Sequence, residues 1–478
     1  LIVLKITAIT DDMRNIIHLL RIAITLARHD ALFPLDLIKS PFITFVARLA
    51  RRERKGVSKG QRLAAAFIEL GPTFVKLGQA LSVRSDLIGE DIAADLAVLQ
   101  DKLPPFSAAK AREIIEEEFG AKLEDIFAEF SPEAIAAASI AQVHRAQLKT
   151  GEDVAVKILR PEITAQIARD IELFYWIARL IEKRNRYYAK RLKPVEVIKT
   201  FDDIIHGELD MRLEAAGASK LRENFVGFEG FYVPQIYWKY TTQKVFVLEW
   251  IDGIKIDDKA AIVKAGHSPD VILANSSRAL FKQVFDDGFF HADIHPGNVF
   301  VNARGEIVPI DFGIMGRIDA NSRMFVAQIM SGFLRRDYDK VADAHFDAGY
   351  VPAHKSREQF ALACRAVGEP VMDLPINEIS VARLLAQMFK VAEDFEMEAQ
   401  PHLLLMQKTM MMSEGVGRSL NPNLNMWKLA EPLVIEWATK NLGLQAQAFD
   451  ALKNAKDILE KIPEIIRKLD LYLDRKIN

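Results

Sequence analysis

Asp293 and Asn298 stand five residues apart in His291–Gly313, HADIHPGNVFVNARGEIVPIDFG, and Asp311 comes thirteen residues after Asn298. Pro296 and Gly297 rule out a continuing helix, so the first two lie on a loop. Two apolar, β-branched runs follow, Val299–Val301 and Ile307–Ile310, around an Asn-Ala-Arg-Gly turn. They predict a hairpin whose second strand delivers Asp311-Phe312-Gly313. Phosphoryl transfer uses these residue types. One Asp receives the acceptor's proton, an Asn five residues on holds metal, and a DFG Asp holds the metal that bridges the phosphates. Mg2+ is a hard cation that takes oxygen ligands, and clustered phosphates need neutralising. A bare DFG says little. Loop, hairpin and DFG in this order predict ATP and Mg2+ as ligands, with Asn298 and Asp311 on metal and Asp293 on the acceptor or a water.

Other elements must position the nucleotide. Two apolar-rich strands are expected near Ile140–Leu148 and Asp153–Ile158, around a Lys-Thr-Gly-Glu turn. The second carries Val154-Ala155-Val156-Lys157, where kinases place the lysine that touches phosphates. Just before the first strand stands Ala136-Ala137-Ala138-Ser139, where protein kinases have a glycine-rich loop. Alanine does not share glycine's positive-φ freedom, so the phosphate cover is expected to be stiffer and differently shaped. After a helical segment at Glu162–Lys183, the chain reads GELDMRLEAAGASKLRENF within Val195–Phe225. Read as one helix, Glu208, Arg212 and Ala215–Ala216 share a side, while Asp210 and Glu214 lie four apart on another. Most such helices are solvated acidic faces. A kinase needs a helix-borne Glu to hold its strand lysine, and Glu214 is assigned that role. Glu208 and Asp210 are then surplus carboxylates near the nucleotide. Val245–Gly253 reads as a buried strand at the lobe junction, with backbone near Glu249–Ile251 meeting adenine.

Lys and Arg number 63 and Asp and Glu 65, so there is no charge excess of the kind that binds nucleic acid. Arg48–Arg62 carries seven basic residues against one acid, and Lys183–Lys193 six with none. Such runs are commonly solvated helix faces; the sharper reading is contact with anionic lipid headgroups. The single cysteine, Cys364, excludes an internal disulfide and is expected to pack as a small apolar side chain. No apolar run reaches the ~18 residues of a bilayer span. The first residue is Leu rather than Met, which leaves room for targeting or membrane segments in a missing terminus.

Residues 1–50 are apolar and helix-prone, with docking on the protein's own core and lying in a membrane interface as the two readings. Gly71–Pro105 opens with an amphipathic helix through Phe74, Leu77, Leu81 and Leu87, in which Lys76, Gly78, Gln79, Arg84 and Asp86 stand out. A helix is expected at Ala108–Phe119. From Asn321 to about Asn441 the chain reads as helical, with Met406, Met410, Met411 and Met412 as core filler. Ala446–Leu473 reads as an amphipathic helix kinked at Pro463.

Assembled, the chain resembles the UbiB family of atypical, protein kinase-like proteins over about Gly71 to Pro432. Three motifs carry the resemblance: K-x-G-Q at Lys76–Gln79, AAAS at Ala136–Ser139, and E-x-D at Glu208–Asp210. The HxDxHPGN loop discriminates less, since small-molecule kinases of the aminoglycoside phosphotransferase type share it. The resemblance implies an α+β, two-lobed kinase-like fold with an N-terminal helical extension whose KxGQ segment packs over the pocket, giving Lys76, Gly78, Gln79, Glu208 and Asp210 a regulatory part. It also implies ATP and Mg2+ as cofactors and a role in ubiquinone biosynthesis. Partners would be membrane lipids, quinone precursors and other proteins of that biosynthesis, at the cytoplasmic face of a bacterial inner membrane. Bacterial members usually end in transmembrane helices, and this chain stops at Asn478 without them. Ala141 stands where many relatives have Gly.

The expected organisation is an extension over 1–105, an N-lobe over 106–248, a C-lobe over 249–440 and a C-terminal helix over 441–478. Two rivals remain: a small-molecule kinase, and a nucleotide-switched scaffold that turns over nothing.

Overall fold

A computed structural model describes residues 2–32, 56–82, 88–96, 104–184, 193–372, 381–397, 401–423 and 428–437, with isolated positions between some of them. Arg84, Asp86, most of both basic runs and the Ala446–Leu473 segment lie outside the described residues. The chain divides into two compact units. The first comprises Leu1–Val226, Val233–Asp252 and Pro309–Ile314; the second comprises Gly227–Tyr232, Gly253–Val308 and Met315–Asn478.

Among the described residues the first unit begins with the helices α1 (Ile2–Arg28), α2 (Lys59–Leu70), α3 (Pro72–Ser82) and α4 (Glu90–Leu96). Leu19, Ile22, Ala23, Leu26 and Ala27 recur at helical spacing and are buried, so α1 docks on the protein's own core by this face. Ile16, Ile17 and Ile24 stay exposed. At its C-terminal end, His29 meets Glu69 at 2.6 Å and Asp30 pairs with Arg62. Ser58 starts α2 with a capping box closed by Gln61.

Helices α5 (Ala108–Phe119) and α6 (Leu123–Ile126) lead into an antiparallel sheet. Its strands are β1 (Phe127–Phe130), β2 (Ala136–Ala137), β3 (Ala141–Leu148), β4 (Asp153–Leu159) and, later in the chain, β5 (Val245–Glu249). The order is β1-β3-β4-β5, with β2 also on β3. The β3–β4 turn needs Gly151, whose φ of +100° disfavours any residue with a side chain. Val154, Val156 and Ile158 alternate onto one face and pack with Ile114 and Ile115 of α5. Each such burial stabilises by roughly 1.5–3 kcal/mol. Lys157 falls on the opposite face, and a one-residue slip would reverse this.

Between β4 and β5 run α7 (Ile163–Arg184), α8 (Pro194–Glu208) and α9 (Met211–Asn224). The single helix expected through Glu208–Glu214 is two helices. Asp210 is extended, with φ −119° and ψ 98°, and its carboxylate accepts from Arg212 N–H as the cap of α9. A short carboxylate satisfies a helix's orphan N–H groups at the cap position, and here that preference wins over helix continuation. Asp210 and Glu214 therefore do not share a helix face.

The second unit holds a three-stranded sheet in the order β6 (Gly253–Lys255), β8 (Val299–Asn302), β9 (Ile307–Pro309). A two-stranded ribbon pairs β7 (Phe289–His291) with β10 (Met315–Arg317). Helices α10 (Lys259–Lys264) and α11 (Pro269–Phe281) precede β7. Helices α12 (Ala320–Leu334), α13 (Tyr338–Asp347), α14 (Arg357–Gly368), α15 (Val381–Asp394) and α16 (Pro401–Leu420) come after β10. Tyr338, Val341, Phe360 and Cys364 form part of a core there. Burial pushes the Cys364 thiol up to about 12, as suits an inert packing cysteine. The methionines of α16 depart from the core-filler expectation: Met406 is buried, whereas Met410 and Met411 are each 42% exposed.

Candidate active site

In the first unit, β4 and α9 bring Lys157 and Glu214 together. Lys157 Nζ donates to both carboxylate oxygens of Glu214, at 2.8 and 3.0 Å, and to Asp311 Oδ1 at 3.2 Å. Phe312 N–H donates to Glu214 at 3.2 Å, and Gly313 N–H to Asp311 Oδ1 at 3.1 Å. The DFG is thus held by the same carboxylate that holds the lysine. Burial alone would lower the Lys157 pKa, but Asp311 and Glu214 outweigh it and hold it above its usual range. Burial pushes Glu214 up to about 7 against the pull of Lys157, with the Asp311 charge adding to the rise. For Asp311 burial is again opposed, here by Lys157, the Gly313 N–H and Lys76, and its pKa lies well below the carboxylate range. An ionised carboxylate is the kind of hard oxygen ligand that Mg2+ takes.

Lys76, on α3, reaches Glu208 at the end of α8 with N···O 2.8 Å. Of the two candidate carboxylates it meets Glu208; Asp210 is taken by Arg212 at 2.7 Å. Gly78 is buried, and a Cβ there would collide with Leu99 and Phe67. Gln79 Nε2 donates to Leu99 O at 3.3 Å.

The alanine segment is pinned rather than open. Ala138 N–H donates to Ala141 O at 2.8 Å, while Arg160 Nε and Nη2 donate to Ala138 O at 3.0 and 2.8 Å. Arg160 Nη2 also donates to Pro104 O at 2.9 Å. Ala136 and Ala137 pair with Val143 and Gln142. No residue of this stretch has positive φ. Ser139 is fully buried, and its hydroxyl has no partner among the described residues. At the end of β5, Glu249 N–H is given to Gln235 O and Trp250 N–H to Asp153 O. Of the three residues expected near adenine, Ile251 is the one whose N–H has no such bond among the described residues.

In the second unit the catalytic-type loop follows β7. His291 N–H donates to Gln283 Oε1 at 2.9 Å, and Asp293 N–H to His291 Nδ1 at 3.1 Å. Gln283 lies in a π-helical turn, Lys282–Asp287, a local geometry frequent at functional sites. Lys408 Nζ donates to Asp293 Oδ1 at 2.7 Å. The Asn298 N–H bonds His295 O at 2.9 Å, and its side-chain amide has no protein partner among the described residues. That leaves its oxygen open for metal. Among the described residues no three His, Cys, Asp or Glu side chains cluster as a metal cage. Mg2+ in kinase sites needs none, since phosphates and water complete its shell.

Two of these contacts escaped sequence reasoning. Arg160 follows β4 directly and carried no motif. Lys408 is the only permanently charged residue in Leu403–Ser413, and a lone lysine in an apolar run was the available signal.

Residues 98–345 match the ABC1 atypical kinase-like domain, and residues 364–425 the UbiB helical domain. A probable protein kinase UbiB of Marinobacter nauticus is 42% identical over 95% of this chain and 84% of its own length. The corresponding protein of Azotobacter vinelandii is 42% identical over 87% of this chain and 77% of its own length. Among solved structures, Rv3197 of Mycobacterium tuberculosis, in complex with erythromycin, superposes with a TM-score of 0.54 at 24% identity. That match covers 76% of this chain and 93% of that one. The fold is α+β and protein kinase-like, and the chain belongs to the UbiB family of ABC1 atypical kinase-like proteins.

Proposed function

We propose that the chain binds ATP with Mg2+ and turns it over in support of ubiquinone biosynthesis, at the cytoplasmic face of the inner membrane. Hydrolysis is coupled to handling of a lipid precursor or of the biosynthetic proteins. The observation that carries this reading is the formed Lys157–Glu214 pair with Asp311 beside it, since kinases need both in place to act. Lys157 contacts the phosphates and Glu214 holds Lys157. Ala136, Ala137, Ala138 and Ser139 cover the phosphates, and backbone at Glu249–Ile251 receives adenine. Asp311 and Asn298 are the metal ligands. Bound Mg2+ would neutralise charge on the transferring phosphoryl group. Asp293 accepts the proton of the attacking oxygen.

A small-molecule kinase would have no use for the enclosed Lys76–Glu208 pair. A pure scaffold would have no need of Asp293, Asn298 and Asp311 together. Among the described residues no helix is long and apolar enough to cross a membrane. The test is ATP turnover by purified protein, with and without anionic liposomes and a quinone-precursor mimic. Turnover that rises with both is expected. Absence of turnover under every condition would overturn the enzyme reading, and turnover indifferent to both would overturn the coupling.

A further inference from the structure

The catalytic-type loop lacks a cation of its own for Asp293. Its nearby basic residue, His295, is folded back on the loop, where Nδ1 accepts Gly297 N–H at 2.8 Å. The cation comes instead from α16, 115 residues downstream: Lys408 Nζ meets Asp293 Oδ1 at 2.7 Å. Next to it, fully buried Thr409 donates its hydroxyl to Leu405 O at 2.9 Å and approaches His291 O at 3.4 Å. That contact seats the helix on the loop just ahead of Asp293. Among the described residues Oδ1 is the carboxylate oxygen with a protein donor; Oδ2 has none.

We propose that Lys408 is a positioning residue for phosphoryl transfer, holding Asp293 by one oxygen so that the other faces the attacking group. The inference rests on the proposed ATP turnover. In the step it serves, an electron pair of the attacking water or hydroxyl oxygen forms the new bond to γ-phosphorus. The proton of that oxygen passes to Asp293 Oδ2. The bond from γ-phosphorus to the bridging oxygen breaks, and its electron pair leaves with ADP. A rotating carboxylate would meet the proton only part of the time, and orientation of this kind affects rate more than binding. The pair is part-buried, with side chains 21% and 31% exposed, so the test reads melting temperature beside rate to separate a fold-holding role from a positioning one.

The experiment compares steady-state ATP hydrolysis by the full chain with that of Lys408→Met, Lys408→Arg, Asp293→Asn and the double variant Asp293→Asn/Lys408→Met, with melting temperatures alongside. Lys408→Met should lower kcat about tenfold or more, within what a general base contributes. KM for Mg-ATP should stay within about twofold, because ground-state binding is not what the lysine provides. Lys408→Arg should recover most of the rate. In the Asp293→Asn background, Lys408→Met should cost nothing further, as residues acting as a unit are not additive. Unchanged kcat in Lys408→Met, a loss confined to KM, or additive losses would each overturn the proposal. Should Lys408→Met fold poorly because it strands a charge, the double variant removes both charges, and its comparison with Asp293→Asn alone decides. Wild-type protein that hydrolyses no ATP overturns the underlying function, and this inference with it. Active wild type with an equally active Lys408→Met overturns this inference alone.

Discussion

Lys76 Nζ lies 2.8 Å from Glu208 Oε2, and their side chains are only 13% and 7% exposed. The pair joins the KxGQ helix to the end of α8, and the Lys76 charge also reaches Asp311, whose pKa it helps to lower. An exposed pair contributes about 0–1 kcal/mol, whereas removing one side of an enclosed pair costs roughly 3–5 kcal/mol because the other charge is stranded.

Lys76→Ala should therefore loosen this contact and alter ATP turnover. Self-phosphorylation should rise without efficient phosphorylation of a generic protein. Radiolabelled phosphate transfer is measured for both proteins with a generic protein substrate, with aminoglycosides and with no added acceptor. Robust wild-type transfer to either added acceptor, indifferent to the substitution, would overturn the covered-pocket reading.

Asp311→Asn should remove most of the thermal stabilisation by Mg-ATP. A ligand at about a hundred times its Kd adds roughly 2.7 kcal/mol to the folded state. The melting temperature is compared with and without Mg-ATP, and an undiminished rise in the variant would take Asp311 out of the site.

The elements that were legible are those where one local pattern dominates. The two apolar-rich runs around the Lys-Thr-Gly-Glu turn lie within one residue of β3 and β4, and the helix expected at Ala108–Phe119 is α5. The break at Asp210 was not legible, because an Asp in a helix-prone run reads equally as an exposed helix residue or a cap. Pairing of Lys157 with Glu214 followed from chemistry, although 57 residues separate them. Lys408 had no such guide: no periodicity links a lysine in α16 to a loop before β8. Arg160 was hidden for a similar reason, since its partners are backbone carbonyls of Ala138 and Pro104, which any sequence supplies.

Ala138→Gly should change the affinity for ATP or ADP, or the preference between them, and leave the fold intact. Its N–H and carbonyl remain able to bond Ala141 and Arg160, so no contact is lost. What changes is backbone freedom, which costs about 0.4–1 kcal/mol of stability through the unfolded chain. Identical ATP and ADP titrations for the two proteins would sink the idea that alanine here shapes the phosphate cover.

Glu214 makes stability depend on pH with a definite sign. Its carboxyl titrates near 7 in the folded chain against 4.5 as the ordinary value, chiefly because it is buried. Between those values the folded protein keeps a proton that the unfolded chain has released. The contribution is full below about 4.5 and is lost as pH rises through about 7. Glu214→Gln cannot titrate and should lack this slope. A tenfold difference in proton affinity between folded and unfolded chain corresponds to about 1.4 kcal/mol. The stability difference between wild type and variant should therefore fall by on the order of 1 kcal/mol or more from about pH 5 to about pH 7.5. Urea unfolding of both proteins at the two pH values reads it directly, since Lys157 and Asp311, the charged groups in contact with Glu214, titrate outside this window. Parallel stability curves would mean that Glu214 is ionised throughout, with Lys157 fully offsetting the effect of burial.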